Sequence, residues 1–214
     1  MKKNGIVLCL VALCNLTLLA QTQKSFQIVH TEEKSAIHIP PQETPAGLKV
    51  IYTNLGKKTD LYDDTNGWTV QGPAITHYSL FVAVPFTPKS DSQVSQVGAA
   101  LQYIYGANQV NLSIYGDSSG APGALLAGPV TVTNLPSYTC CTLGVAVFTP
   151  VAVTAGTQYW VVADTPLTGT GSDFFGAWDM VPKIVPIALN DNSGGWFATT
   201  AVGLPAVEVL GTIP

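Results

Sequence analysis

The chain has 214 residues, of which 47% are hydrophobic and only 10% are charged, and its formal net charge is −4. A typical soluble protein contains about 25% charged residues, and disordered chains are less apolar than this one, so we expect a folded chain with a substantial core. All nine basic residues are lysines. Nucleic-acid binding normally needs a basic stripe with arginine, and we therefore expect no nucleic-acid partner.

The first twenty residues have the layout of a secretory signal peptide. Lys2 and Lys3 precede an apolar stretch over residues 6–19, and Ala20 supplies the small residue at the cleavage position. This apolar stretch is shorter than the roughly 20 residues of a comfortable membrane span. We expect cleavage after Ala20, a secreted extracellular protein and no transmembrane segment in its mature form, with an uncleaved anchor helix as the alternative. Removal of this segment also lowers the net charge by two units.

Residues 21–46 are polar and contain three prolines close together near their end, which predicts a tether or lead-in in which the stretch SAIHI adds an edge strand. From residue 47 onward, short runs rich in β-branched and aromatic residues alternate with turn residues. No long window shows a capped helical period, and DSQVSQVGAALQYIY is predicted as a strand. We predict a single all-β domain over residues 47–214, a jelly-roll-like antiparallel β-sandwich of about 8–12 short strands.

The stretch NLSIYGDSSGAPGALL, residues 111–126, predicts two strands joined by a turn. Asp117, Ser118 and Ser119 are short polar residues that bond locally to the backbone. Gly120 and Gly123 permit positive φ angles. We interpret this loop as architecture, and a ligand-binding loop on a rigid sandwich is the alternative.

Several stretches of the chain resemble, in the same order, the choice-of-anchor R domain proteins, a family of secreted bacterial β-sandwich proteins. The resemblance covers about residues 48–212 and depends on IYTNLG, YDDTNGWTV, VAVPFTP, VNLSIYGDSSGAPGALLAG, VTAGTQYWVVAD and GGWFA followed by LPAVEVLG. It implies an extracellular jelly-roll-like unit and brings no catalytic residues. Members of the family often end in a sorting tail with a Pro-Glu-Pro signal, an apolar helix and a basic cluster. This chain ends VEVLGTIP, and we therefore expect free secretion.

Three of the four tryptophans lie beside turns, and we predict that they form a ligand-binding face. Trp68, Trp178 and Trp196 occur in NGW, GAWD and GGWF, where exposed rings could stack on sugars. The alternative is that they cover the ends of the sandwich and bury apolar area. Trp160 lies in a strongly apolar strand and is predicted to belong to the core.

The stretch TDLYDDTNGW offers oxygen ligands at close spacing. Asp60, Asp63, Asp64 and Asn66 could hold a structural Ca²⁺ ion, although the spacing is not that of an EF-hand. Asp and Asn in a turn more often cap backbone groups. We expect no other cofactor.

Cys140 and Cys141 are the two cysteines that remain after signal removal, and they are adjacent. In an oxidising compartment we predict a vicinal disulfide between them. Two free thiols, or a bridge between chains, are the alternatives.

Catalytic motifs are not evident in the sequence. It contains no H-E-x-x-H or P-loop pattern, and its single G-x-S-x-G match, GDSSG at residues 116–120, lies in the predicted strand-to-strand turn. His77 is the sole histidine after residue 46. We predict a secreted, non-catalytic binding or surface module whose partner is a polysaccharide. A structural or protein-interaction module that binds a surface protein is the alternative. A hydrolase is a remote third reading, because it requires two carboxylates facing one cleft.

Overall fold

The computed structural model describes residues 28–30, 37–40, 42–57, 61–201 and 203–214. The described chain is nearly all β, with antiparallel sheets packed as a sandwich, and this confirms the predicted fold class. The predicted signal peptide and Asp60 lie outside the described residues.

Seventeen strands and one short helix, α1 (Pro73–Thr76), make up the described regular structure. The strands are β1 (Ile28–His30), β2 (Ile37–His38), β3 (Lys49–Thr53), β4 (Asp63–Gln71), β5 (Phe81–Phe86), β6 (Ser92–Ala99), β7 (Leu101–Tyr105), β8 (Gln109–Ser118), β9 (Ala121–Thr133), β10 (Thr139–Cys140), β11 (Gly144–Val153), β12 (Tyr159–Asp164), β13 (Phe175–Val181), β14 (Val185–Asn190), β15 (Phe197–Ala201), β16 (Leu204–Pro205) and β17 (Val207–Thr212).

The strands form three main sheets. Six strands make the largest, in the antiparallel order β15-β14-β5-β12-β8-β9. A four-stranded sheet has the order β11-β6-β17-β3, and a five-stranded sheet has the order β1-β4-β13-β16 with β7 also paired to β13. The short strand within SAIHI, β2, pairs in parallel with β10.

Two continuous segments, β6 with β7 and β16 with β17, each connect the four-stranded sheet to the five-stranded sheet. They are one reason why the strands outnumber the predicted 8–12. Ala100 separates β6 from β7, and Ala206 separates β16 from β17. The backbone N–H of Asp179 donates to the carbonyl of Ala100 at 2.8 Å, and the N–H of Ala206 donates to the carbonyl of Asp179 at 2.8 Å. The backbone of β13 therefore bridges both runs at the point where they change sheets.

The main core lies between the six-stranded sheet and the other two sheets. Alternate residues of β5 and β12 are fully buried in it, including Val84 and Val161. Across the sandwich, the rings of Tyr52 on β3 and Phe86 on β5 have their centroids 6.0 Å apart. This alternation, with every second strand residue directed inward, accounts for the low charge of the sequence.

The opposite side of the six-stranded sheet, called the outer face below, carries a second apolar cluster. Its buried members are Ala83, Trp160, Val162 and Ala188, and the partly buried rings of Tyr115 and Trp196 pack against them. The sheet is thus apolar on both sides at its centre.

The hairpin predicted over residues 111–126 is confirmed, with β8 and β9 joined by Ser119 and Gly120. Both residues have positive φ angles, 55° and 83°, as two-residue hairpin turns require. No helix among the described residues is long and apolar enough to cross a membrane.

Candidate ligand-binding face

Trp68 and Trp178 lie opposite each other in β4 and β13 and are buried in the main core. Their side chains are 8% and 0% exposed. The Trp68 Nε1–H donates to the carbonyl of Gly203 at 2.8 Å, and the Trp178 Nε1–H donates to the carbonyl of Ala206 at 2.9 Å. The exposed position expected for these two rings is therefore wrong, because the opposing sheet covers them and backbone carbonyls use their polar atoms.

Trp196 differs from these two, since it lies on the outer face and keeps part of its ring accessible. It precedes β15 and packs with Tyr115 against the cluster around Trp160. Trp160 itself is 1% exposed, as expected of a core residue, but it belongs to this second cluster. Tyr115 and Trp196 are thus the rings at this cluster that a ligand can touch.

A carboxylate at the hairpin fixes the buried indole below these rings. Asp117 Oδ1 accepts hydrogen bonds from Trp160 Nε1 at 2.8 Å and from Gln158 Nε2 at 2.7 Å. Asp117 Oδ2 accepts the backbone N–H of Gly120 at 3.1 Å. Desolvation acts to raise the pKa of Asp117, but the hydrogen bonds from Trp160, Gly120 and Gln158 bring it below its usual value. The carboxylate is therefore ionised at neutral pH.

At the other end of the outer face, three polar side chains form a row across β12, β8 and β9. Asn111 lies opposite both Asp164 and Thr131 in the strand register. Asn111 Nδ2 donates to Asp164 Oδ1 at 3.1 Å, and Thr131 Oγ1 donates to Asn111 Oδ1 at 2.9 Å. Asn111 and Asp164 are partly buried, whereas Thr131 is exposed.

Burial raises the pKa of the Asp164 carboxyl to about 6, against the opposing effect of the hydrogen bond from Asn111. Burial, and then the nearby charge of Asp164, also raise the pKa of Tyr115. Asp164 and Tyr115 therefore share one desolvated region of the outer face. Perturbed carboxyl groups beside accessible aromatic rings are common at functional sites.

Asp63, Asp64 and Asn66, three of the four residues predicted to bind calcium, lie at the start of β4, where Asp63 makes local hydrogen bonds. Asp63 Oδ1 accepts the backbone N–H of Thr65 at 2.9 Å and its Oγ1–H at 2.6 Å, and Asp63 Oδ2 accepts Asn66 Nδ2 at 2.9 Å. Asp64 is 4% exposed. Within the described ranges, which omit Asp60, no group of three or more acidic, His or Cys side chains could hold a metal ion. The bonds of Asp63 follow the capping alternative, and the calcium site stays a prediction.

A further buried carboxyl group lies where the strands change sheets. Asp179 is 1% exposed, and its Oδ2 accepts Gln102 Nε2 at 2.5 Å. Burial raises its pKa well above the usual value, opposed by the bond from Gln102. The charges of Asp64 and Asp63 raise it further. We conclude that Asp179 has a structural role where the strands change sheets.

The adjacent cysteines form a vicinal disulfide. The sulfur atoms of Cys140 and Cys141 are 1.98 Å apart, and both residues are almost fully buried. The carbonyl of Cys140 accepts the backbone N–H of Ile39 at 2.8 Å, and Tyr62 donates its hydroxyl to the carbonyl of Thr142 at 3.0 Å. The disulfide is therefore buried, and hydrogen bonds hold the chain around it.

Sequence reasoning missed Asp164, Asn111 and Tyr115, and it treated Asp117 as a turn residue only. The signal was present in the alternation of two strands. On β8 the side chains of residues 111, 113 and 115 share one face, and on β12 those of residues 160, 162 and 164 do so.

Comparison of the chain with protein-family models, with curated proteins and with solved structures found no match.

Proposed function

We propose that this protein is a secreted, non-catalytic binding module that holds a glycan on the outer face of its six-stranded sheet. One observation carries the proposal: the partly accessible rings of Tyr115 and Trp196 pack on one apolar cluster of the outer face. Tyr115 also lies near the Asp164 carboxyl group, which accepts a hydrogen bond from Asn111. Aromatic rings present a flat apolar surface, and fixed carboxylate and amide groups meet hydroxyl groups. Ligand sites commonly combine apolar and aromatic side chains with a few placed polar groups.

The placement of the carboxylates favours binding over hydrolysis. Glycosidases need two carboxyl groups about 5–10 Å apart. On the outer face Asp117 lies six positions along β8 from Asn111, the partner of Asp164. At about 3.3 Å per residue, the two aspartates are separated by about 20 Å along the strands. The resemblance to choice-of-anchor R domain proteins further supports an extracellular setting.

Titration calorimetry of the purified protein against a panel of soluble oligosaccharides tests the proposal. We expect saturable binding that falls about three- to tenfold in Tyr115→Ala and in Trp196→Ala, since a stacked aromatic ring contributes about 0.5–1.5 kcal/mol. Tyr105→Ala is the matched control, because Tyr105 is 61% exposed on the five-stranded sheet. Equal losses in all three variants, or no binding of any glycan, would contradict the proposal.

A second function, binding of an extended peptide strand, is favoured by a groove between β9 and β11. These strands form the facing edges of two sheets, and no backbone hydrogen bond joins them in the described part of the chain. Two cavities of about 380 and 290 Å³ follow the groove, and residues 126–136 and 142–151 that line it carry no charge. Unpaired strand edges accept an added strand through backbone hydrogen bonds.

Hydrogen exchange separates the two functions. A strand added to the groove protects the backbone amides of β9 and β11. A glycan on the outer face leaves those amides unchanged and protects the side-chain indole of Trp196 from quenching by acrylamide.

A further inference from the structure

The charge pattern of the outer face indicates which class of glycan this face binds. The inference rests on the proposed function. Across the six strands of the largest sheet, all of them described, the charged side chains are two aspartates, Asp117 and Asp164. Both belong to the outer face, where they lie on either side of the cluster around Trp160 and Tyr115. The strands of this face therefore present negative charge alone to a ligand.

We propose that the outer face binds a glycan that carries free, protonated amino groups, that is, a polymer of amino sugars without N-acylation. The two carboxylates recognise the ammonium groups, Tyr115 stacks on a sugar ring between them, and Trp196 contacts the sugar chain from the β15 side of the cluster. Cations are also attracted to aromatic faces within about 6 Å, so the rings and the carboxylates favour the same ligand.

Asp164 is the stronger of the two recognition elements, because it is partly buried and accepts its hydrogen bond from a neutral amide. Its Oδ1 is held by the neutral amide of Asn111, and the titratable side chain that shares its region is Tyr115. A desolvated carboxylate without a positive partner is unfavourable, and a ligand ammonium group removes that penalty. Asp117, which is exposed and already accepts three hydrogen bonds, contributes mainly long-range attraction.

The spacing of the carboxylates indicates a polymer. Because Asp117 and Asp164 are about 20 Å apart along the strands, a single sugar cannot contact both. A chain of several rings spans the distance and presents an amino group at each end.

The surface favours a glycan over a lysine-rich peptide. The strands that form this face, β5, β12 and β8, each pair with a neighbour on both sides, so their backbone groups are occupied by the sheet. A peptide lying across the side chains would leave its own N–H and C=O groups without strand partners. A sugar polymer has no backbone ladder to satisfy.

Two probes that differ only in acetylation test the inference, a β-1,4-linked glucosamine hexamer and the corresponding N-acetylglucosamine hexamer. At about pH 7 we expect the free-amine hexamer to bind at least fivefold more tightly, since an ion pair near a protein surface contributes on the order of 1 kcal/mol or more. Raising the salt from about 50 to about 500 mM weakens binding of the free-amine hexamer and leaves the acetylated one unchanged.

Asp164→Asn keeps an oxygen that accepts the Asn111 bond and removes the charge. We expect it to lower the affinity for the free-amine hexamer about fivefold and to leave the affinity for the acetylated hexamer unchanged. Glu208→Gln is the matched control, because Glu208 is also partly buried but lies on β17 in the four-stranded sheet. Unfolding midpoints measured on both variants establish that each is folded.

The outcomes separate the inference from the proposed function. Equal or tighter binding of the acetylated hexamer overturns the amino-sugar inference and leaves glycan binding in place. If neither hexamer nor any neutral glycan binds, the proposed function itself fails. Equally tight binding of a lysine hexapeptide would show that charge alone is recognised and would overturn the inference.

Discussion

Trp178 in the main core and Trp196 on the outer face show how differently one residue type can serve in this protein. Trp178 is fully buried, and a backbone carbonyl accepts its Nε1–H. Trp196 is partly accessible and lies on a cluster whose buried indole, that of Trp160, is held by the carboxylate of Asp117. In the sequence both tryptophans adjoin turns. Only the residues that each ring contacts in the fold distinguish the structural ring, Trp178, from the proposed ligand-binding ring, Trp196.

The largest expected effect on stability is that of Trp178→Ala. Truncating a fully buried large side chain leaves a cavity, and we expect the free energy of unfolding to fall by about 3–5 kcal/mol. Urea titration followed by circular dichroism measures the change. Trp178→Phe, which removes one of the two hydrogen bonds accepted by the carbonyl of Ala206 and leaves a smaller cavity, should lose about 1–3 kcal/mol. A loss below 1 kcal/mol in both variants would contradict the assignment of this ring to the core.

Asp164→Asn should increase stability at neutral pH. The folded-state pKa of Asp164 is about 6, above the usual value of 3.8, so the folded protein binds the proton more tightly than the unfolded chain. Stability of the unmodified protein therefore falls as the pH rises from about 4 to about 6. We expect the variant to be more stable by about 1–3 kcal/mol above pH 6.5.

Urea titrations of the Asp164→Asn variant and of the unmodified protein across this pH range give the difference directly. It should disappear below about pH 4, where the carboxyl group is protonated in both states. A difference that does not change with pH would contradict the raised pKa.

Reduction of the Cys140–Cys141 disulfide should have a smaller effect. The bridge joins neighbouring residues, so it closes a minimal loop and restrains the unfolded chain little. Loop-entropy estimates give on the order of 1 kcal/mol for so short a loop. Unfolding in the presence and absence of a phosphine reductant measures it. A loss of several kcal/mol would instead indicate that the thiols cannot be packed in the space the disulfide occupies.

Trp196→Ala should change stability least, by less than about 1 kcal/mol, because the ring is partly exposed and packs on one side only. The same variant should lose glycan affinity. Trp178→Ala should instead lower stability. Comparing the two variants is the sharpest test of whether the main core and the outer face have different roles. Loss of stability comparable to that of Trp178→Ala would place Trp196 among the structural residues.

The fold was accessible from the sequence because its strands are short, alternating and separated by turn residues. DSQVSQVGAALQYIY is indeed β, and NLSIYGDSSGAPGALL is a hairpin. The change of sheet at Ala100 and Ala206 could not be predicted, because an alanine in an apolar run does not indicate where a chain passes from one sheet to another. It depends on the backbone of Asp179, which is remote from both in the chain.

The candidate site was less accessible, because burial is decided by the layer opposite each residue. GAWD and GGWF look alike, yet one tryptophan faces a second sheet and the other does not. Asp164 ends an apolar strand, and burial raises its pKa, whereas the hydrogen bond from Asn111 on β8 opposes that rise. Strand alternation places its side chain on one face, but only the register of β8 against β12 brings Asn111 to it.

The position of β17 has a consequence for how the chain folds. This strand lies between β6 and β3, and its first residue, Val207, contacts Thr53 across 154 positions of sequence. Closing so long a loop is entropically unfavourable and slow, whereas the β8–β9 hairpin can pair as soon as it has been synthesised. Until residues 207–212 emerge, β3 and one edge of β6 have no partner in the four-stranded sheet. The four-stranded sheet is therefore completed only after β17 has been synthesised, and its unpaired edges are prone to aggregation until β17 pairs with them.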